Sequence, residues 1–325
     1  MLSSRGGEGR GRDTNMAGYP LVGLALGSGG ARGLAHAGVL AALEEAGIRA
    51  DRIAGTSMGA IVGGLYAQDP DPARVWTRLQ DYVGNPEFAS YWSPFVPRGE
   101  NHDHEHLGRI SGIFDFMQRK LIAVKTVTRP WQQDEDKLRG PLLALFGPGD
   151  FAALQIPFAA IALDLISGER VVFREGPVVD GVYASSAIPG VFPPLRRGKQ
   201  VICDGGGPFR CPVESCRDLG ADLVVAVDIP AFEDTHFATG LDMILRSNTI
   251  ARQRLNGFVV ASADLVIRPA VTDCHWADFA NGQVARDRGY AAGKAAVPEL
   301  QRLLQQRRSL GDRVRRQLAS ALRLG

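Results

Sequence analysis

The chain has 325 residues, 45% of them hydrophobic, and its 37 basic and 35 acidic side chains leave a net charge of +2. This length and composition suit one large or two small globular domains with a full apolar core. The balanced charge gives no indication of a nucleic-acid partner, and no apolar run reaches the roughly 18 residues that a membrane-spanning helix requires.

The N-terminal residues and the cysteines bear on localisation. Residues 1–18 are rich in Gly, Ser and Arg and lack the apolar segment of a signal peptide, so we expect a disordered tail, with Met16 as an alternative start. The cysteines form no C-x-x-C pair and have no zinc-ligand spacing, which favours reduced thiols and a cytoplasmic protein. They are Cys203, Cys211, Cys216 and Cys274.

The first predicted elements alternate between strand and helix. In chain order they are a strand at Leu21–Leu26, a helix at Leu34–Ala46, a strand at Arg52–Ala54, and helices at Ala60–Tyr66 and Asp71–Val83. This alternation favours an α/β fold with a mostly parallel central sheet sandwiched between helices.

The remainder of the chain begins with a less regular stretch. Residues 85–150 carry scattered prolines and helical pieces at Phe114–Val124 and Leu142–Phe146, and we interpret them as a cap over the sheet edge. Strands follow at Ile156–Leu163, Arg170–Phe173, Val201–Cys203, Leu223–Ile229 and Leu265–Ile267, with helices at Pro212–Leu219, Leu241–Phe258 and from Lys294 onward. No linker divides the core, so we expect one main domain over residues 19–308 and a basic C-terminal helix over residues 309–325.

Gly55–Gly59 fits the pattern G-x-S-x-G between a predicted strand and a predicted helix. A serine at such a turn is held in a strained backbone with its hydroxyl exposed above the sheet. Glycine at both ends, Gly55 and Gly59, avoids side-chain clashes where the turn is tight. The helix N-terminus adds N–H groups and a positive dipole end. Ser57 is therefore the candidate nucleophile of a reaction that develops an oxyanion.

The glycine-rich loop Gly27–Gly33 follows a strand and opens a helix, so its N–H groups can face an anion. Dinucleotide binding requires G-x-G-x-x-G and an acidic residue after the second strand, but the glycine spacing is one residue longer here and Asp51 precedes that strand. The second interpretation is an oxyanion hole. The third is a turn without a chemical role.

Asp204 is the candidate partner of the serine. It ends an apolar strand and precedes Gly205, Gly206 and Gly207. Partial desolvation raises the pKa of such a carboxyl and makes it a stronger base. Taken alone, an aspartate before glycine is also a common turn residue.

Together these stretches resemble the patatin-like phospholipase family, in particular its compact bacterial members. The glycine loop, the serine turn and the aspartate turn occur in the family's order, with further support from Asp164–Phe173 and Ala184–Pro194. The resemblance covers about Leu21 to Leu304. It implies a patatin-like fold and a Ser57–Asp204 dyad that hydrolyses acyl esters of lipids through an acyl-enzyme, without a cofactor or a metal. The implied oxyanion-hole residues are Gly29, Gly30, Ala31 and Arg32, and the supporting motif residues are Gly27, Gly33, Gly55, Gly59, Gly205 and Gly206.

Two positions depart from the family pattern. Ser28 stands where many relatives have glycine. Gly207–Cys211 replaces an Asn-rich turn that the family often carries before the Pro-Val pair. The second departure lies on the loop that carries Asp204 and bears on substrate preference.

The histidines leave alternatives open. A Ser–His–Asp hydrolase would draw on His236 or His275, which both follow Asp204 in the chain. A non-catalytic lipid- or protein-binding module of the same fold is a further alternative. His36 suits a structural polar contact. The run His102–His106 alternates histidine with acidic residues, but its polar, Pro- and Gly-flanked setting favours a solvated loop over a metal site.

The C-terminal segment carries an excess of positive charge. From Glu299 onward, seven arginines face two acidic residues, and leucines recur at helical spacing between them. A helix packed on the core explains this pattern. The alternative is a contact with an anionic membrane, which would place the protein peripherally at the inner membrane surface.

Overall fold

A computed structural model describes residues 19–92, 129–230 and 239–321 of the chain. Several sequence predictions lie outside these ranges: the tail at residues 1–18, the His102–His106 run, the helical piece Phe114–Val124, and His236.

An eight-stranded sheet forms the centre of the described part of the chain. Its strands are β1 Val22–Leu26, β2 Arg52–Thr56, β3 Phe158–Asp164, β4 Arg170–Phe173, β5 Leu195–Arg197, β6 Gln200–Asp204, β7 Leu223–Val227 and β8 Leu265–Ile267. Their order is β5-β6-β3-β2-β1-β7-β8, and β4 pairs with β3. Strands β3, β2, β1, β7 and β8 run parallel, whereas β4 and β6 lie antiparallel to β3, and β5 to β6. The mostly parallel sheet is confirmed.

Helices cover both faces of the sheet. They are α1 Ala35–Glu45, α2 Met58–Gln68, α3 Pro72–Gly84, α4 Pro86–Trp92, α5 Asp136–Phe146, α6 Val178–Ser186, α7 Val213–Asp218, α8 Gly240–Val260 and α9 Gly282–Ala321. Neighbouring residues of a strand point to opposite faces. Leu24 of β1 accordingly joins the apolar cluster that holds residues of α1 and α2, whereas Ala25 joins a second cluster with Val213 and Val260.

The last helix, α9, begins at Gly282, earlier than the predicted start at Lys294. Its glycines make a helix difficult to predict, but they allow α9 to pack closely on α1. A Cβ at Gly289 would lie 2.0 Å from the carbonyl oxygen of Ala35. The helix crosses position 308 without a break, so the basic end shares one helix with the part that buries Leu300. Among the described residues, none of the helices combines the length and the apolar character needed to cross a bilayer.

Three elements were not predicted: β5, α4 and α6. In α6 the β-branched pair Val178 and Val179 and the central Gly181 all disfavour a helix locally. Packing overrides this preference, because α6 lies against β3 and a Cβ at Gly181 would lie only 2.7 Å from Cβ of Phe173. This helix matters for the site because its last turn carries Ser185.

Candidate active site

Ser57 lies at a sharp turn between the end of β2 and the start of α2. Its φ of 56° is positive, which no other non-glycine residue in the described ranges shows. Such a backbone is strained and persists only where the surrounding fold enforces it. A Cβ at Gly55 would lie 2.3 Å from the carbonyl oxygen of Gly59, and one at Gly59 would lie 2.1 Å from that of Leu26. The close contacts of the turn therefore require both glycines of the motif.

A buried hydrogen-bond chain holds this turn in place. The N–H of Ser57 donates to Oγ of Ser185 at 2.9 Å, and Ser185 Oγ donates to the carbonyl oxygen of Ile161 at 2.6 Å. Ser185 therefore connects the serine turn to β3. It belongs to the Ala184–Pro194 stretch, but no role was assigned to it from the sequence.

The register of the strands brings Asp204 beside Ser57. Thr56, which precedes Ser57, pairs with Ile161 of β3, and Asp204 pairs with the next β3 residue, Ala162. Ser57 and Asp204 thus lie on the two sides of β3 at nearly the same level. The Ser57 side chain interacts with the Asp204 carboxyl.

The carboxyl of Asp204 is poorly solvated. Burial raises its pKa to about 6, while the Ser57 side chain and the N–H of Gly206 oppose that rise. The Gly206 N–H donates to Oδ1 of Asp204 at 2.6 Å. The structure thus agrees with the desolvation expected for an aspartate at the end of an apolar strand. A carboxylate with a raised pKa that faces a serine hydroxyl can accept its proton.

The glycine-rich loop packs directly on the serine turn. A Cβ at Gly33 would lie 2.6 Å from Cβ of Met58, and a Cβ at Gly59 would lie 2.8 Å from the carbonyl oxygen of Gly27. The N–H of Gly27 donates to the carbonyl oxygen of Val227 at 3.0 Å, which fixes the loop to β7. The glycine-rich loop and the serine turn are therefore in direct contact.

The structure reduces the predicted set of oxyanion-hole donors. The N–H of Ala31 donates to the carbonyl oxygen of Trp276 at 2.7 Å, so Ala31 is not an available donor here, contrary to the prediction. Gly29 and Gly30 stand at the start of the 3₁₀ turn Gly30–Leu34, where N–H groups have no partner within the helix. Arg32 is buried, its Nε donates to the carbonyl oxygen of Gly29 at 3.3 Å, and its Nη1 has no partner in the described part of the chain.

The side chain of His36 contacts the backbone of the glycine-rich loop. Its Nε2 lies 2.7 Å from the carbonyl oxygen of Gly27, and burial lowers its pKa to about 4. The ring is therefore neutral near pH 7, with the proton on Nε2 as the donor in this contact. This agrees with the structural role expected for His36.

The other described histidine with a predicted role, His275, contacts Ala277 and Trp276. Its Nδ1 accepts from the N–H of Ala277 at 3.3 Å, and its ring packs at a tilt on Trp276. Within residues 19–92, 129–230 and 239–321, no group of His, Cys, Asp and Glu side chains is arranged to hold a metal ion.

Two arginines near Asp204 were not assigned to the site from the sequence. The positive charges of Arg210 and Arg252 counteract part of the rise that burial causes in the pKa of Asp204. Arg210 lies in the Gly207–Cys211 segment, and the departure of this segment from the family pattern is a sequence signal that could have pointed to Arg210. Arg252 lies on α8, 42 residues after Arg210, and no local motif distinguishes it.

The chain matches a family model described as Patatin-like phospholipase over residues 24–216. It is 31% identical over 240 residues to a patatin-like phospholipase domain-containing protein of Caenorhabditis elegans, covering 73% of this chain and 15% of the relative. It is 35% identical over 214 residues to an NTE family protein of Mycobacterium bovis, covering 66% of this chain and 50% of the relative.

A third relative is lysophospholipase nte1 of Aspergillus fumigatus, 30% identical over 213 residues, which cover 66% of this chain and 12% of the relative. The chain thus spans at most half the length of these three relatives.

Proposed function

Because the chain belongs to the patatin-like phospholipase family, we propose that it hydrolyses acyl esters of lipids with Ser57 as the nucleophile and Asp204 as the general base. One observation carries the proposal: a buried carboxyl with a pKa of about 6 interacts with a serine in a strained turn. Such a carboxyl is ionised at neutral pH and is a stronger base than an exposed aspartate.

In the first step, Asp204 accepts the proton of the Ser57 hydroxyl as Oγ attacks the carbonyl carbon of the ester. The carbonyl oxygen becomes an oxyanion, to which Gly29 and Gly30 would donate N–H groups while Arg32 adds a positive field. When this intermediate collapses, the ester C–O bond breaks. The alcohol leaves with the proton from Asp204, and the acyl group remains on Ser57.

In the second step, water replaces the alcohol. Asp204 accepts a proton from the water as its oxygen attacks the acyl carbonyl carbon, and the same N–H groups stabilise the second oxyanion. The bond to Ser57 Oγ then breaks, Oγ recovers the proton from Asp204, and the fatty acid departs. This route uses no metal and no cofactor.

The substrate class we propose is phospholipids and lysophospholipids. Support comes from the family and from the lysophospholipase among the relatives. Wild-type protein and Ser57→Ala should be incubated with lipids of one acyl chain and several head groups, and released fatty acid measured by mass spectrometry. We expect release by the wild type alone. Equal release by both proteins would remove Ser57 from the reaction.

The two alternatives from the sequence make different predictions in the same assay. A Ser–His–Asp hydrolase would lose its turnover when one of its histidines is replaced. A non-catalytic module would bind lipid and release no fatty acid.

For the domain organisation, we propose one catalytic domain over residues 19–308, with residues 85–150 as a cap and residues 309–325 as a basic end that contacts membrane. Vesicles containing anionic lipid should bind the full chain more weakly as salt rises, because exposed charge is screened. A chain that lacks residues 309–325 should bind less. Equal binding by both chains would leave α9 with its packing role alone. A cytoplasmic, peripheral localisation is part of the same proposal.

A further inference from the structure

Arg210 lies in the Gly207–Cys211 segment and packs against the glycine loop. Its carbonyl oxygen accepts the N–H of Ser28 at 2.8 Å, and its Nη2 donates to the carbonyl oxygen of Ile229. Ile229 in turn contacts the glycine loop, because a Cβ at Gly29 would lie 2.7 Å from its Cγ2. The guanidinium of Arg210 is thus held beside the loop that we propose as the oxyanion hole.

Arg252 approaches the same region from α8. Its Nη2 donates to Oγ1 of Thr249 at 3.2 Å, and its buried Nε has no hydrogen-bond partner within the described ranges. Burial is the main influence on the pKa of both neighbours, which it raises for Asp204 and lowers for Arg210. The positive charge of Arg252 is close enough to lower the pKa of both groups. Asn256, one turn further along α8, donates to Asp228 at 2.8 Å and holds this helix over the end of β7.

The positive charges of Arg32, Arg210 and Arg252 lie close enough to repel one another. Burial lowers the pKa of Arg32 to about 10, and repulsion from Arg210 is the next cause. Arg32, Arg210 and Arg252 donate to carbonyl and hydroxyl oxygens, and none of these bonds, within the described ranges, ends on a carboxylate.

The nearby carboxylate of Asp228 is already engaged. It accepts from Asn256 and from Arg268, the latter at 3.0 Å. Like charges in a poorly solvated region repel one another unless an anion lies between them. Asp228 and Asp204 offset part of the positive charge of Arg210, but these two carboxylates are outnumbered by Arg32, Arg210, Arg252 and Arg268.

We propose that Arg210 and Arg252 bind the phosphate group of a phospholipid or lysophospholipid while its acyl ester lies at Ser57. This proposal rests on the proposed lipid hydrolysis and specifies the substrate that the site selects. Guanidinium groups bind phosphate through paired N–H donors. Among the described residues, Nε of Arg252 is buried without a hydrogen-bond partner, so it could donate to a phosphate that enters beside it. Phosphate and acyl ester are attached to one glycerol, so a cationic pair beside the dyad would orient the ester as well as bind the head group.

Arg252→Gln tests the proposal with little risk to the fold, because glutamine suits a helix and Arg252 is not fully buried. The matched control is Arg254→Gln, an exposed arginine two residues further along α8. Each protein is assayed on a lysophospholipid and on a monoacylglycerol with the same acyl chain. The second substrate has the ester but not the phosphate.

For Arg252→Gln we expect a fall of about tenfold or more in kcat/KM on the lysophospholipid, the usual effect of losing a charged hydrogen bond. The monoacylglycerol should change by less than about twofold when the assays are run near pH 8, where Asp204 stays ionised even though the loss of the Arg252 charge raises its pKa. Arg254→Gln should resemble the wild type on both substrates. Equal losses on the two substrates, no loss on either, or the same loss in Arg254→Gln would overturn the proposal. Arg210→Lys, which keeps the charge but not the paired donors, should show the same selectivity for the phosphate-containing substrate.

A binding measurement separates this proposal from the proposed function. Glycerophosphocholine should raise the Tm of full-length Ser57→Ala, and glycerol and choline chloride at the same ionic strength should not. The added Arg252→Gln change should abolish that shift even if no ester is ever hydrolysed. If glycerophosphocholine does not raise the Tm of Ser57→Ala, that result alone overturns the proposed phosphate site. An equal shift with inorganic phosphate at the same concentration would also overturn it, since the site would then bind free phosphate and not a lipid head group.

Discussion

The backbone N–H of Ser57 donates a hydrogen bond of 2.9 Å to the side chain of Ser185, which in turn donates to Ile161. A strained turn needs such support because its backbone conformation is unfavourable by itself. This hydrogen bond also explains why a serine on α6, far from Ser57 in the chain, belongs to the site.

Ser185→Ala should lower kcat by about tenfold to a hundredfold, because it leaves the Ser57 N–H buried without an acceptor and loosens the turn. The matched control is Ser186→Ala, since the Ser186 hydroxyl is buried without a partner and supports no other group in the described ranges. Steady-state kinetics on a nitrophenyl ester measure both. A Ser185→Ala enzyme with wild-type kcat, or an equal loss in Ser186→Ala, would show that this hydrogen bond does not position the nucleophile.

The acidic limb of the pH profile should report Asp204. The base must be ionised to accept a proton, so kcat/KM should rise with pH through about 6, the raised pKa of this carboxyl. Initial rates on an uncharged ester between about pH 4 and pH 8 test this. A profile whose acidic midpoint lies at the ordinary aspartate value of 3.8 would contradict the buried base.

The same pKa has a consequence for stability. Burial raises the pKa of Asp204 from 3.8 to about 6, so the folded state binds more protons than the unfolded state between these values, and stability falls as pH rises through them. Asp204→Asn removes the buried charge and should stabilise the protein by up to about 3 kcal/mol above that window. Its Tm should exceed that of the wild type near pH 8 and match it near pH 4. A lower Tm at both pH values would show that the carboxylate is well accommodated.

Gly30 tests the oxyanion loop. Its φ is +56°, and a Cβ would lie 2.3 Å from the carbonyl oxygen of Trp276, so Gly30→Ala must shift the backbone that carries the proposed donor. Losing one oxyanion donor lowers kcat by about 10²–10³-fold. Gly47→Ala is the matched control, because its φ of +72° imposes the same kind of strain and no atom of the described residues lies within 4 Å of the added Cβ. If both variants keep wild-type kcat while folded, the loop has no part in catalysis.

Local patterns predicted much of this molecule. The strands with apolar runs, the serine turn and the glycine loop follow from residues that are neighbours in the chain. The contact between Ser57 and Asp204 does not, because it depends on the position of β3 between β2 and β6. The same holds for Ala31, whose N–H is engaged by a carbonyl group about 245 residues later in the chain. No sequence motif marks Arg252 as a site residue, because only the folded chain places it beside Arg210.

The claim that Ser57 and Asp204 act as one unit is tested most directly by a double-mutant comparison. Ser57→Ala, Asp204→Asn and the protein with both changes are assayed for kcat on one lysophospholipid, with His275→Ala and His236→Ala as controls. The dyad predicts that each of the first three falls to background, with no further loss in the double mutant, since residues that act as one unit are not additive. Both histidine variants should keep most of their activity. A folded histidine variant as inactive as Ser57→Ala, or an Asp204→Asn enzyme that retains its turnover, would contradict the account.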